Sequence, residues 1–409
     1  MNVLIKTFKH YIPCFPIIFM KILLVVLDGA GDRGKETPLT LASKPNMDSL
    51  ARSGRTGLLD IGYKKDVDSD IGYLNLLGSY SKQDYPGRGY LEALGLDLKV
   101  GLKDVCIRGN FATIDQSGTL IDRRAGRQEE GLEELAEKLD GMEIDGARFL
   151  VRKSSGHRLV IVISGPNLSD KIVPNDPKRT GVPVPQVISK SPEGKRTASI
   201  LNKFIYRATK TLSSDPINRK RKIPANTVLV RNAGQPKKTI LFQNRFGMSA
   251  CCIAGIAITK GVARFLGMDV IEVKGATGLP NTNLEGKAEA TEKALKKYDL
   301  VFLHINGTDI LSHDRRPEEK RSFLEKIDRI VFSRFTNLKG TLIAVICDHR
   351  SASARDFPGY EHLPDPVPFF ASGGRIRPEG KPWNENECEK SRLRLEGNGL
   401  MEFLAENRK

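Results

Sequence analysis

Three short apolar runs constrain this chain most: Ile22 to Leu27, Leu300 to Leu303 and Leu342 to Ile346. None alternates polar with apolar residues, and each is rich in aliphatic side chains, the pattern of strands buried on both faces of a parallel sheet. Parallel strands need crossover connections, usually helical. One is visible between the second and third runs, where Pro317 to Phe335 sets Phe323, Leu324, Ile327, Ile330 and Val331 on one helical face behind a Pro-Glu-Glu start. A further helix over roughly Ser249 to Leu266 and a strand over Val270 to Val273 extend the alternation and predict an α/β fold.

With 409 residues, the chain is longer than one hydrophobic core usually serves. Its texture changes from about Arg88 to Lys238, where turn residues and basic runs such as Pro174 to Pro185 and Arg219 to Lys222 replace long apolar stretches. Short strands at Phe111 to Ile114 and Leu159 to Ile163 mark this part as an inserted α+β cap, residues 88–238, within a sheet domain formed by 20–87 and 239–409. Residues 1–19 form a leader whose apolar part, Tyr11 to Phe19, is interrupted by Pro13 and Pro16 and ends near Lys21. It lacks a small-residue cleavage site and the roughly 20 apolar residues of a spanning helix, so neither a signal peptide nor a membrane anchor is expected, and Met20 is an alternative start.

The formal charge of +16 favours an anionic partner: a phosphorylated metabolite, nucleic acid or an anionic membrane surface. Aromatic residues do not interleave with the basic runs, which argues against a nucleic-acid platform. Six cysteines without a CxxC spacing fit a reducing, cytoplasmic setting.

Ligands of open α/β sheets bind beyond the carboxyl ends of the strands. Asp28, Asp309 and the pair Asp348-His349 follow the apolar runs directly or after a short loop. Asp309 and His313 form a D-x-x-x-H step that puts both side chains on one side of a helical turn, and His362 follows in a loop containing Gly and Pro. Each residue alone has an ordinary reading, a helix cap or a core histidine. Together they are a carboxylate–imidazole set suited to Mn, Zn, Fe or Mg, and they use three of the six histidines; His157 and His304 have weaker contexts. Ser69 lies in Asp66-Val-Asp-Ser-Asp70, just before a helix predicted over Ile71 to Leu77. It reads either as a plain N-cap or as a nucleophile at a phosphate-attracting helix start.

Ordered stretches along the chain resemble one family. They include LDGAGDRG, TPLTLASKPNMDSLARSG, DSDIGYLNLLGSY, GRGYLEALG, GNFATID, IDRRAGR, SGHRLVIV, PANTVLVRNAG, KGVARFLGMDVIEVKGATG, HINGTDILSHD, CDHRSAS and HLPDPVP. The resemblance is to archaeal-type, 2,3-bisphosphoglycerate-independent phosphoglycerate mutases of the alkaline phosphatase superfamily, and it runs from about Met20 to the C-terminus. It implies an alkaline phosphatase-like sandwich with a central, mainly parallel sheet. It also implies interconversion of 3- and 2-phosphoglycerate through a phosphoserine at Ser69, with no 2,3-bisphosphoglycerate requirement. One divalent cation would be held by Asp309, His313 and His362, the other by Asp28, Asp348, His349 and Ser69; Mn2+ is expected, with Mg2+, Co2+ or Zn2+ as alternatives. Arg123, Arg124 and Arg127 of IDRRAGR, with Arg158 and Asp176, would hold the substrate's phosphate and carboxylate. The implied partner is the small-molecule substrate, with no nucleic acid and no membrane; a homo-oligomer is compatible with the sequence.

Three departures from the family pattern, Tyr73 in place of a histidine, Ser164 in place of an arginine and the Arg350-Ser-Ala-Ser353 stretch, are expected close to the substrate. They leave open a metal-dependent phosphatase, or a mutase of another small phosphorylated or phosphonylated acid.

Overall fold

The computed structural model describes residues 19–62, 69–354 and 362–409. The leader before residue 19 and the acids at 66 and 68 lie outside the described residues. The three apolar runs become the centre of an eight-stranded sheet. Its order is Asp269–Val270, Ala250–Ile253, Leu300–Ile305, Lys21–Leu27, Thr341–Ile346, Val367–Ser372, Gly54–Asp60 and Arg394–Glu396. Only Val367–Ser372 runs against its neighbours, so the expected α/β class and mainly parallel sheet are both present. Val25 sits between Leu303 and Val345, and every residue from Ile22 to Leu27 is fully buried, which is why this run shows no alternation.

Local pattern misplaced two elements. The helix read from Ser249 starts only at Ala257 and ends at Phe265, because Ala250–Ile253 is a strand pairing with Leu300–Ile305. A four-residue apolar run carries no periodicity to separate strand from helix, and the neighbouring strand decides. The strand read to Val273 is confined to Asp269–Val270. The Pro317 helix is α-helical to Ile327 and then widens into a π-turn over Asp328–Phe332. There Asp328 accepts the amides of Asn46 (3.2 Å) and Met47 (2.7 Å) at the start of helix Pro45–Arg52.

A second, antiparallel sheet is built from Thr227–Gly234, Val105–Ile114, Arg158–Ser164, Ala147–Lys153 and Glu143–Ile144, with Leu120–Asp122 beside Val105–Ile114. Its strands alternate. Val105, Ile107, Phe111, Leu159, Ile161, Ile163, Val228 and Val230 enter a core shared with helix Lys195–Ser214. Arg108, Asn110, Arg158 and Arg231 occupy the other face by the two-residue period. That face meets helix Arg88–Gly95, which also lies on Ala257–Phe265 beside the large sheet. The two helices touch through glycine: a Cβ on Gly95 would stand 1.9 Å from the Ala257 carbonyl oxygen, and one on Gly261 1.8 Å from that of Leu91. No described helix is long and apolar enough to cross a membrane.

Candidate functional site

The carboxyl ends of the three central strands bring the predicted acids and imidazoles together. Asp28 follows Lys21–Leu27, Asp309 sits in the first turn of helix Gly307–His313 after Leu300–Ile305, and Asp348-His349 follow Thr341–Ile346. The D-x-x-x-H spacing does what the helix period dictates, with His313 Nε2 3.2 Å from Asp309 Oδ2. His362 arrives by a route that no spacing reveals: the two-residue strand His362–Leu363 pairs with Arg350–Ser351, opposite Ser351. This stacks its ring on that of His349 at 3.8 Å and puts its Nε2 3.1 Å from His313 Nε2 and 3.5 Å from Asp309 Oδ1. Gly29 makes the crowding possible. Its φ of +61° suits glycine, and a Cβ there would lie 2.7 Å from Ser351 Oγ and 2.9 Å from Asp309 Oδ1.

Ligand atoms form two triplets, each within 4.8 Å: Asp28, Asp348 and His349, and Asp309, His349 and His362. His349 is common to both, whereas the expectation gave it to the Asp28 set alone; His313 lies outside the triplets but touches Asp309 and His362. The atoms turned inward are short of partners. Asp28 Oδ1, Asp348 Oδ2 and His349 Nε2 are buried without a hydrogen bond among the described residues. Burial first, then the charges of Asp28 and Asp309, push the Asp348 carboxyl well above its ordinary range. Burial also opposes ionised Asp28, but the hydrogen bond of His304 and the adjacent His349 imidazole outweigh it and hold its pKa low. Three buried carboxylates around a lone-pair nitrogen are costly unless a cation lies among them, so the donor set fits divalent metal.

Supporting side chains fix the atoms that face inward. Ser351 Oγ donates to Asp309 Oδ1 (2.9 Å) and lies 3.0 Å from His349 Nδ1, which can then carry the proton and leave Nε2 its lone pair. The Gly29 amide donates to Asp348 Oδ1 at 3.2 Å. Tyr73 and His304 both reach Asp28 Oδ2, at 2.5 and 3.0 Å. Two of the three departures, Tyr73 and Ser351, therefore support acids and imidazoles of the cluster. Ser164 lies at the far end of its strand, six residues or about 20 Å from Arg158.

Ser69 opens helix Ser69–Leu76, half-buried, one turn before Tyr73. Its neighbour Asp70 is fully buried and accepts from Tyr85 and from Arg88, whose Nη1 lies 3.5 Å away. Arg88 also donates to Glu92 at 3.2 Å, and Glu92 lies 3.3 Å from Arg108 Nε, tying the first turn of the Ser69 helix to the arginine-bearing face of the second sheet.

On that face Arg108 lies directly opposite Arg231, and Asn110 opposite Arg158. Burial and the neighbouring Arg88 drive Arg108 well below its ordinary pKa, and burial above all lowers Arg231 to about 10. Glu92 and Asp176 are the acids among them. Glu92 is raised by burial but held low overall by Arg108, Arg88 and Arg158. The charge of Asp309 weakly opposes the burial that lowers Arg158.

The predicted substrate residues divide. Arg124 and Arg158 belong to the cluster, both acting on His157, which burial first and then these charges lower to about 3. Arg123 is engaged in a two-pronged pair with Asp176, at 2.9 and 2.8 Å, and Arg127 reaches Asp314 at 3.2 Å from a largely exposed position. Sequence reasoning missed Arg88, Arg108, Arg231 and His304. Alternation of Arg108 and Arg231 with apolar neighbours was the signal available for two of them.

A carboxylate–imidazole cluster at the carboxyl edge of a mainly parallel sheet, with the arginine-bearing face of a second sheet linked to the Ser69 helix through Arg88 and Asp70, defines an α/β protein whose donor set fits divalent metal. The sequence profile of 2,3-bisphosphoglycerate-independent phosphoglycerate mutase matches residues 51–218. A mutase of that name from Methanocaldococcus jannaschii is 39% identical over 401 residues, covering 94% of this chain and 96% of the relative. One from Methanococcus aeolicus is 39% identical over 372 residues, 88% of this chain and 90% of the relative. Among solved structures, a protein from Pyrococcus horikoshii superposes with a TM-score of 0.80 at 31% identity, covering 96% of this chain and 99% of that one. The cofactor-independent phosphoglycerate mutase of Thermoplasma acidophilum gives 0.67 at 32% identity, covering 95% and 100%. The chain belongs to the 2,3-bisphosphoglycerate-independent phosphoglycerate mutase family.

Proposed function

We propose that this protein interconverts 3-phosphoglycerate and 2-phosphoglycerate by way of a phosphoserine at Ser69, without a 2,3-bisphosphoglycerate requirement. The observation that carries the reading is the trio Asp28 Oδ1, Asp348 Oδ2 and His349 Nε2, which lack hydrogen-bond partners among the described residues and lie within one group of possible metal ligands. Asp28, Asp348 and His349 would hold one divalent cation with Ser69, and Asp309, His313 and His362 the other, His349 lying within reach of both. Mixed imidazole and carboxylate donors favour Mn2+, Co2+ or Zn2+ over Mg2+, and Mn2+ is our assignment. Such ions would supply Lewis acidity to the phosphoryl oxygens and lower the pKa of the Ser69 hydroxyl.

Residues 88–238 act in this reading as a cap over the domain formed by 20–87 and 239–409. Arg158, Arg124, Arg108 and Arg231 grip the substrate's phosphate and carboxylate, with Arg88 at the junction. Ser69 Oγ attacks phosphorus, the Ser69 O–P bond forms and the bond from phosphorus to the 3-oxygen breaks; the proton that Ser69 gives up is balanced by the one the departing 3-oxygen takes up, leaving glycerate. Held by the arginines, glycerate turns to present its 2-hydroxyl. That oxygen attacks the phosphoserine as its proton is passed back to Ser69 Oγ, the Ser69 O–P bond breaks, and 2-phosphoglycerate is left. Exclusion of water by the cap is what separates a mutase from a phosphatase. The five described cysteines are free and buried, which agrees with a cytoplasmic setting.

Incubation with 3-phosphoglycerate should give 2-phosphoglycerate and a labelled serine in the wild type and neither in Ser69→Ala. Release of inorganic phosphate with no 2-phosphoglycerate would replace the mutase reading by the phosphatase one.

A further inference from the structure

We propose that Tyr73 and His304 act as one clamp on Asp28, occupying its Oδ2 so that only Oδ1 is offered to a cation. Tyr73 Oη lies 2.5 Å from Oδ2, His304 Nε2 lies 3.0 Å from the same oxygen, and the two donors are 2.9 Å apart. The proton inventory closes. The phenol O–H donates to Oδ2, and the single Nε2–H of a neutral imidazole is shared between Oδ2 and the phenol oxygen. Among the described residues Oδ1 receives no hydrogen bond and stands 3.2 Å from His349 Nε2, which also has no hydrogen-bond partner among them. To offer both oxygens Asp28 would have to give up both donors. The clamp is rigidly seated: Tyr73 and His304 are fully buried, with their rings edge to face at 5.1 Å.

The clamp also reaches the nucleophile. Tyr73 is four residues after Ser69 on helix Ser69–Leu76, a spacing that puts both on the same helical face. The bond from Tyr73 to Asp28 therefore fixes that helix against the strand end that carries the ligand. Tyr73 and His304 are positioning residues, acting through Asp28 rather than on substrate.

The inference rests on the metal centre proposed above, and calorimetric titration of the chelator-stripped full chain with Mn2+ tests both. The wild type should take up two equivalents. Tyr73→Phe, which keeps the ring and removes the hydroxyl, should weaken one of the two sites about tenfold or more and leave the other unchanged. His304→Gln should weaken the same site, and it reads the proposal if Tyr73→Phe does not fold. In an Asp28→Asn background Tyr73→Phe should cause no further loss. A purely structural role would lower the thermal midpoint of the metal-free protein without moving either affinity. Titrations of Tyr73→Phe and His304→Gln that superimpose on the wild type at both sites overturn the clamp and leave the metal centre standing. A wild type that binds no Mn2+ overturns the centre, and the clamp with it.

Discussion

The two polar regions of this molecule are built in opposite ways. The carboxylate–imidazole cluster gathers negative charge where three buried parallel strands end, on loops directly after them. The guanidinium cluster gathers positive charge in mid-strand on an antiparallel sheet, with Arg108 and Arg231 facing each other across one register position. Like charges directly opposite on paired strands are destabilising, as are buried carboxylates around one imidazole. Each region is therefore an incomplete half: one lacks cations, the other an anion. The Arg88–Asp70 pair, at 3.5 Å, links the arginine side to the first turn of the Ser69 helix, an arrangement that suits a ligand whose phosphate spans both.

The comparison can be broken most severely at the nucleophile. Ser69→Ala should lower turnover by about a thousandfold or more while leaving the fold intact, measured by coupled assay and circular dichroism. Next, chelation should abolish activity and Mn2+ restore it. The thermal midpoint should fall on chelation, since Asp28, Asp348 and His349 then face one another uncompensated.

The arginine half should respond in the opposite sense. Arg231→Met should raise KM for phosphoglycerate tenfold or more, from loss of a charged hydrogen bond of about 1.5–3 kcal/mol. It should also stabilise the substrate-free protein by up to about 1 kcal/mol, through relief of repulsion with Arg108. Lower substrate-free stability would show that Arg231 is structural.

A smaller effect separates the halves by pH. His157 is held neutral down to about 3 in the fold against an ordinary value of 6.5. Between these values the unfolded chain binds the extra proton, so stability is lost as pH falls from about 6.5 towards 3. His157→Asn should flatten that acid limb in denaturant titrations without altering stability above neutrality. The smallest change is expected at Arg127→Ala, which removes the largely exposed pair to Asp314 and should cost less than about 1 kcal/mol by chemical denaturation.

Legibility followed chemistry and range. The carboxyl ends of buried strands are visible in a sequence because an apolar run stops at a polar residue, so Asp28, Asp309, Asp348 and His349 could be named before any coordinates. Asp309 with His313 was legible from helical spacing, and family resemblance supplied the grouping of the ligands. Arg108 and Arg231 looked like ordinary exposed positions of alternating strands, because nothing local says that helix Arg88–Gly95 covers that face. His304 was set aside for its weaker context, just after the run Leu300 to Leu303, and Tyr73 was read as a change near substrate. In the fold their side chains converge on a single oxygen of Asp28.

What the sequence determined by itself is the α/β class, the central strands and the acids and imidazoles at their ends, since hydrophobic burial and side-chain period act over a few residues. Only the tertiary structure decided that His362 stacks on His349 through a two-residue ladder, that His349 is common to both triplets, and which arginines crowd together. Those facts depend on strand register and on the packing of one sheet's helix against the other, contacts between residues tens to hundreds of positions apart that leave no periodic trace in the chain.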